Sequence, residues 1–333
     1  MTETAMVRPD NALKAILERM RIGPFQQDAG LAVAGLYLDD PTPTTAYVTL
    51  AQALAAGDVI VSEKPQASVP TLQIRNLGAW PVLLLDGEEV IGGRQNRVLN
   101  ATIMVPPEAV FDLPVSCVEQ SRWQEVSPTF DTGEAAYPTL RRAKMEQVAA
   151  SSLEGGAPRA DQSAIWEEIA SRQNREGVQS PTSAMRDSYS GRADELASAE
   201  FTLRCPEDGP VGIIALVEGR AVCADFFDRP ETLRGYWSRL IRSYALEAVD
   251  RPANEPDRAS ALRLIARPLK ARLTCQVAPG LGFDVRVSGN GIVGASLVLG
   301  EAVVHTALFR KRTAASRGSI RRPSERRRHQ NVP

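Results

Sequence analysis

Between Leu85 and Trp123 the chain reads LDGEEVIGGRQNRVLNATIMVPPEAVFDLPVSCVEQSRW, a run of strand formers seeded with charged and amide side chains. Its β-branched residues call for burial, and polar groups removed from water with them cost free energy unless each finds a partner. Glu88, Glu89, Arg94, Gln95, Asn96, Arg97, Asn100, Cys117, Glu119, Arg122 and Trp123 all fall inside it. Any fold for this chain must close these residues into a polar network or turn them toward a ligand.

The surrounding sequence sets the fold class. Leu31 to Leu38, Thr45 to Leu50, Val59 to Glu63, Thr71 to Asn76, Val82 to Leu85, Val98 to Val105 and Pro114 to Glu119 are short apolar or alternating runs separated by turn residues. They predict strands. Thr49 and Gly57 bracket LAQALAA as a cap and a left-handed stop. Leu140 to Ser151 and Asp161 to Arg175 predict helices, the second capped by Asp161 and burying Ile165, Trp166 and Ile169. Glu176 to Ser198 offers few apolar anchors and reads as weak helix or mobile linker. Gly212 to Gly219 and Arg220 to Phe227 form a hairpin turning near Glu218 and Gly219. A long amphipathic helix follows from Glu231 to Val249, with a capping-box pattern at Asp228 and Glu231. RLTCQV, FDVRV, VGASLVLG and VVHTALF end the body as a strand meander. Strands around a helical insert, without β-α alternation, predict an α+β protein. The expected architecture is an antiparallel-rich β-sandwich or curled sheet, with a helical insert and one long amphipathic helix packed on it.

Composition narrows the function classes. Among 333 residues, 43% are hydrophobic and 24% charged, the balance of a soluble globular protein. No apolar run approaches the roughly 20 residues of a membrane-spanning helix, and the N-terminus has no secretory pattern. Cys117, Cys205, Cys223 and Cys275 are scattered without a C-x-x-C pair, which predicts a reducing cytoplasm rather than a zinc ribbon or disulfide scaffold. The net charge of −1 conceals an asymmetry: Arg310 to Pro333 holds nine basic residues and one acidic one, the remainder 30 basic and 39 acidic. That tail predicts disorder, and an acidic body is a poor surface for nucleic acid except through Arg310 to Arg328.

Four stretches together resemble one prokaryotic family. LDGEEVIGGRQNRVLN, PVSCVEQSRW, CADFFD ahead of the Trp237 and Tyr244 helix, and VVHTALF are similar to proteins associated with ADP-ribosylglycohydrolase and rhodanese-phosphatase proteins. The likeness covers residues 22–309 as a single domain, with a polar helical or loose insert at about 134–199, a lead-in at 1–21 and a basic tail at 310–333. It implies a cytoplasmic protein near NAD or ADP-ribose metabolism, with a protein partner there, and it brings no established reaction. It also singles out Glu88, Gln95, Asn96, Arg97, Cys117, Glu119, Arg122 and Trp123.

Each of these residues has a chemical reading and a plain one. GEEVIGGRQNR has neither the G-x-x-x-x-G-K-[ST] nor the G-x-G-x-x-G order. Its glycines, Gly87, Gly92 and Gly93, either permit a tight turn or let backbone N–H groups, with Arg94 or Arg97, hold a phosphate. Gln95, Asn96 and Asn100 suit a sugar or nucleobase edge. Glu88 and Glu119 form an acid and base pair or bind magnesium, or else pair with Arg97 and Arg122 respectively. Asp225 is a third acidic candidate, or a cap. Cys117 is a nucleophile if Arg122 favours its thiolate, or a small buried hydrophobe. His305 is a lone strand histidine, more often structural than a ligand, and no metal site or cofactor is indicated. Trp123 is placed to stack on adenine or ribose, while Trp166 and Trp237 serve packing. The leading expectation is a small-molecule binding domain for a nucleotide-derived or ADP-ribose-like ligand. Glu88 and Glu119 leave catalysis open. The alternative is a non-catalytic interaction module whose polar motif is a structural core network.

Overall fold

The computed structural model describes residues 7–40, 44–68, 70–153 and 158–311; the basic tail from Arg312 onward lies outside them. The chain begins with α1 (Pro9–Arg19) and a hairpin of β1 (Arg21–Asp28) and β2 (Leu31–Tyr37). It then leaves that hairpin and does not return to the same sheet until β12 (Gly212–Val217), which pairs antiparallel with β2. After β13 (Arg220–Phe227) and α7 (Pro230–Ala248) come α8 (Arg258–Ala266), a 3-10 turn (Arg267–Lys270) and four strands. These are β14 (Arg272–Val277), β15 (Phe283–Gly289), β16 (Ile292–Leu299) and β17 (Ala302–Arg310). Together they complete an eight-stranded antiparallel sheet of order β1-β2-β12-β13-β17-β16-β15-β14.

Both faces of this sheet are covered, which explains why β2 reads as a continuous apolar run. Leu31 and Val33 join the core beneath α7, whereas Ala32, Ala34 and Leu36 face α1 and α8 with Leu13, Ile16, Leu17 and Leu264. Successive residues of a strand point to opposite faces, so covering both leaves no polar position in the strand centre.

The stretch between β2 and β12 builds a second unit. A closed six-stranded barrel joins β4 (Val59–Ser68), β5 (Thr71–Asn76), β7 (Glu88–Gly92), β8 (Arg97–Leu99), β10 (Val110–Cys117) and β11 (Thr129–Ala135) in the order β10-β5-β4-β11-β7-β8. Val61, Leu72, Ile74, Val90, Leu113 and Phe130 fill it. A small sheet of β3 (Val48–Thr49), β6 (Val82–Leu84) and β9 (Ile103–Val105) lies beside it, with α2 (Leu50–Ala56) following β3 directly. Thr49 makes a full capping box with Gln52 on α2, and Gly57 ends it at φ 74°. Helices α3 (Pro138–Leu153), α4 (Gln162–Glu176), α5 (Met185–Ser190) and α6 (Ala193–Thr202) lead back to β12.

The α+β class stands, with several corrections. The antiparallel-rich expectation holds; of the β-sandwich or curled sheet expected, the strands form a closed six-stranded barrel and an eight-stranded open sheet covered on both faces, and no sandwich is seen among the described residues. The long helix is α7, but α3 and α4 run to 16 and 15 residues, so it is not the single long helix. The expected strand from Val98 to Val105 is broken at Asn100, and its halves enter different sheets. Asp228 does not cap α7, whose N-cap is Arg229; it accepts instead from Tyr47 Oη at 2.5 Å. The segment from Glu176 to Ser198 contains α5 and α6, anchored by Met185, Tyr189 and Leu196, and the lead-in contains α1. Trp166 is only half-buried.

Gly280 joins the open sheet to the small one. It has φ 84°, and a Cβ there would lie 2.3 Å from the Met104 carbonyl oxygen, while Leu281 N–H donates to the same oxygen at 2.8 Å. Gly280→Ala should lower stability by about 2 kcal/mol. Chemical denaturation checks this, and an unchanged midpoint would refute the close-approach argument.

Candidate functional site

Gln95, Asn96, Arg97, Glu119 and Arg122 meet where β7, β8 and β10 leave the barrel and bond largely to one another and to nearby backbone, although Gln95 Oε1 and Arg97 Nε have no hydrogen-bond partner among the described residues. Gly92 and Gly93 make the β7–β8 turn. Two of the turn's amides are occupied by side chains: Gly92 N–H donates to Asn96 Oδ1 at 3.2 Å and Arg94 N–H to Glu63 Oε1 at 3.3 Å. Gln95 donates to the Glu119 carbonyl at 2.7 Å. Glu119 accepts from Asn96 N–H at 3.2 Å and Thr182 at 2.9 Å, and pairs with Arg122 at 2.7 Å. Arg122 also donates to Asn96 Oδ1 at 2.9 Å and to the Gly93 carbonyl at 2.8 Å. Burial would raise the Glu119 carboxyl, but Arg122 and the Asn96 amide outweigh it and hold it below the usual range.

The remaining positions fit the same pattern. Arg97 is buried, donates to the Gln95 carbonyl at 2.9 Å and faces Glu63 at 3.7 Å. Asn100 accepts from Ser116 at 2.8 Å and donates to the Pro158 carbonyl at 3.2 Å, which breaks the strand there. The Gln162 amide caps the end of β10 by exchanging two hydrogen bonds with the Cys117 backbone, at 2.8 and 2.7 Å. The Cys117 thiol is buried and pushed up to about 11, mainly by desolvation, which disfavours a thiolate. Arg94 and Trp123 are exposed.

Glu88 and Glu119 do not converge. Glu88 turns toward α7, pairing with Arg239 at 2.7 Å and accepting Leu85 N–H at 3.1 Å. Glu89 points to the opposite side of β7, fully buried, with one oxygen receiving Glu134 N–H at 3.2 Å and the other unpartnered. Desolvation pushes its carboxyl up to about 7.

Three of the resembling stretches meet at a deeper cluster between barrel and sheet. Asp225 on β13 binds Arg141 of α3 through two hydrogen bonds, at 2.9 and 2.7 Å. It also accepts from Tyr244 of α7 and lies 3.1 Å from His305 Nε2 on β17. His305 Nδ1 is 2.8 Å from Thr102 Oγ1, which in turn accepts Asp86 N–H at 3.2 Å. Asp86 pairs with Lys144, which donates to the Leu99 carbonyl at 2.6 Å. Burial alone would raise Asp225; Arg141 and then His305 reverse that and hold it far below the carboxylate range. Among the described residues no three His, Cys, Asp or Glu side chains gather as a metal site.

A cleft at the far end of the β13–β17 pair has the opposite character. Arg220 opens β13 and Arg310 closes β17, and both line two adjoining hollows of about 540 and 200 Å³ together with Arg267 of the 3-10 turn. Arg142 of α3, Arg251 and Lys311 line the larger one alone, and Arg263 of α8 the smaller. Arg220 and Arg310 make no ion pair among the described residues. The carboxylates that line the hollows are paired with other arginines: Glu247 with Arg172 at 2.9 Å, and, within the lining itself, Asp257 with Arg263 at 3.0 Å and Glu218 with Arg251 at 3.4 Å. Partial burial lowers the Arg310 pKa, and repulsion from Arg220, Arg267 and Arg142 adds to it. The sequence reading missed this cleft and took Arg310 as the start of the tail. Its six arginines, Arg142, Arg220, Arg251, Arg263, Arg267 and Arg310, are scattered from α3 to β17, so no charge run marked them. The available signal was a strand pair with an arginine at the same end of each partner.

A family model described as the ARG and Rhodanese-Phosphatase-superfamily-associated Protein domain, ARPP-1, matches residues 19–309, and the chain belongs to that family. No curated protein and no solved structure matches it.

Two predictions follow from the buried charges. Asp225→Ala leaves Arg141 without its carboxylate and should cost about 3–5 kcal/mol in denaturant unfolding; a loss below about 1 kcal/mol would show that the cluster does not hold the fold. Glu89 is raised in the folded state, so between its usual 4.5 and about 7 the unfolded chain releases a proton that the native one keeps. Stability attributable to Glu89 therefore falls as pH rises through that window, by on the order of 3 kcal/mol, and is level above it. Glu89→Gln should remove this slope in melting curves from pH 5 to 8, and parallel wild-type and variant profiles would contradict it.

Proposed function

We propose that this member of the ARPP-1 family is a binding domain for a phosphate-bearing, nucleotide-derived small molecule of the ADP-ribose type, held in the arginine cleft. The supporting observation is that Arg220 and Arg310 crowd against Arg267 and Arg142 while neither has an anionic partner among the described residues. Guanidinium groups match phosphate oxygens in two-point contacts, and an anion between them would relieve their repulsion. The larger hollow, about 540 Å³, has the size of a small-molecule site. Phe309, Val222 and Pro138 give it an apolar wall beside Thr139 and Glu247, a combination suited to a nucleoside. The family's name associates its members with ADP-ribose-related and phosphatase-related proteins, which agrees with this ligand class.

In this reading the Glu88 to Trp123 motif is structural. Glu88 and Glu119 act as network carboxylates, Gln95, Asn96, Arg97, Asn100, Cys117 and Arg122 hold the β7–β8–β10 junction, and Arg94 contributes its backbone N–H. The domain is then a ligand-responsive module, and a reaction, if it performs one, needs groups at the cleft.

Thermal melting of the full chain with ADP-ribose, NAD and ADP tests this. Saturating ligand should raise the midpoint by several degrees. Arg310→Gln should abolish the rise while leaving the ligand-free midpoint unchanged or higher, since it removes repulsion. An equal rise in Arg310→Gln, or no rise with any of the three, would overturn the assignment.

A further inference from the structure

The two hollows of the cleft differ in what their walls leave unbalanced. In the smaller one Asp257 is already paired with Arg263, which leaves Arg220, Arg267 and Arg310 around about 200 Å³ with no ion pair among the described residues. Ser260 accepts Ala221 N–H at 3.2 Å and can still donate its own proton there. The same three arginines reach the larger hollow, where Lys311 joins them beside a wall of Phe309, Val222 and Pro138. Unmatched positive charge is therefore packed into the least space in the smaller hollow, and the aromatic wall belongs to the larger. A volume of about 200 Å³ falls below the roughly 300–1,000 Å³ of sites that take a whole small molecule, so the smaller hollow takes one end of a ligand.

Resting on the cleft reading above, we infer that the ligand ends in a phosphomonoester. That phosphate sits in the smaller hollow on Arg220, Arg267 and Arg310, while the nucleoside covers the Phe309 wall of the larger one. A terminal phosphate carries about −1.5 to −2 at neutral pH and offers three strong acceptor oxygens. A phosphate bridging two groups has a single charge and fewer free oxygens to share among three guanidinium forks. In ADP-ribose the group beyond the pyrophosphate is an uncharged sugar, and in NAD it ends in a cationic nicotinamide. Neither matches a hollow whose unpaired groups are all positive. Within the nucleotide-derived class the cleft thus selects nucleoside diphosphates over compounds whose phosphates are capped at both ends.

Isothermal titration of the full chain with ADP, ADP-ribose, NAD and inorganic pyrophosphate, at fixed ionic strength, tests this. At about pH 7.5 ADP should bind about tenfold more tightly than ADP-ribose or NAD. Pyrophosphate should bind more weakly than ADP, because it leaves the apolar wall uncovered. Acidity gives an independent readout, since a phosphomonoester takes up a proton at about pH 6. No histidine lines either hollow, and the lining carboxylates Asp257, Glu218 and Glu247 are held in ion pairs. ADP affinity should therefore fall severalfold from about pH 7.5 to about 5.5, while ADP-ribose affinity stays level. The exposed Arg263 lines only the smaller hollow, so Arg263→Glu should weaken ADP and pyrophosphate about tenfold and ADP-ribose much less. ADP-ribose or NAD binding as tightly as ADP, with both lost in Arg310→Gln, would overturn the terminal-phosphate assignment while the anion cleft stands. An ADP affinity that ignores pH across this range would also overturn it. Absence of binding by all four would remove both readings together.

Discussion

Two carboxylates, an arginine and a lysine are withdrawn from water where the barrel meets the open sheet, and the relative placement of the two units depends on how they are matched. Asp86 comes from the loop between β6 and β7, Arg141 and Lys144 from α3, Asp225 from β13, His305 from β17 and Tyr244 from α7. Each ion costs several kcal/mol to desolvate, so the cluster is tolerable only while every partner is in register. Shifting α3 along its axis would unpair Arg141 from Asp225 and Lys144 from Asp86 at once. Even the glycine of LDG belongs to this constraint. Gly87 has φ 80°, and a Cβ there would sit 2.7 Å from Arg141 Cγ. Asp86 supplies charge and Gly87 supplies room for the arginine that crosses above it.

Elements specified by their own residues were legible in the sequence. The Thr49 cap and Gly57 stop, the Glu218–Gly219 hairpin, the Asp161 cap and the buried face of α7 all rest on contacts a few residues apart. What was not legible depends on residues far away. Val98 to Val105 has uniform strand propensity, yet Asn100 is held by Ser116 and Pro158, and the halves part company. Barrel closure is decided by β8 meeting β10, which no local pattern announces. Met185, Tyr189 and Leu196 are too sparse to predict α5 and α6 without the surface they pack on. In α1, by contrast, Leu13, Ile16 and Leu17 carry helical spacing behind Pro9, so its signal was present.

The site was legible only as a dichotomy. A dense polar motif among strand formers means a network or a ligand surface, and composition cannot choose between them. Burial and partner geometry distinguish two environments: Glu119, Arg122, Asn96 and Gln95 are bonded to one another at 2.7 to 3.2 Å, whereas Arg220 and Arg310 line a cleft and make no ion pair among the described residues. The acidic balance of the body, with 30 basic against 39 acidic residues before Arg310, hid a local reversal of sign. Net charge describes the long-range field, while a cleft a few ångströms across answers to the handful of groups lining it.

This contrast also bears on why the cleft is credible as a site. Selection for folding alone would disperse like charges or pair them, as the chain does with Arg141, Lys144, Arg172 and Arg242. Arg220 and Arg310, which make no ion pair among the described residues, share one hollow with Arg267 and work against folding in the absence of an anion. Their repulsion is local, partly desolvated and avoidable by a single substitution at the end of β13 or β17. On the reading proposed above, a binding energy recovered when an anion enters accounts for that cost.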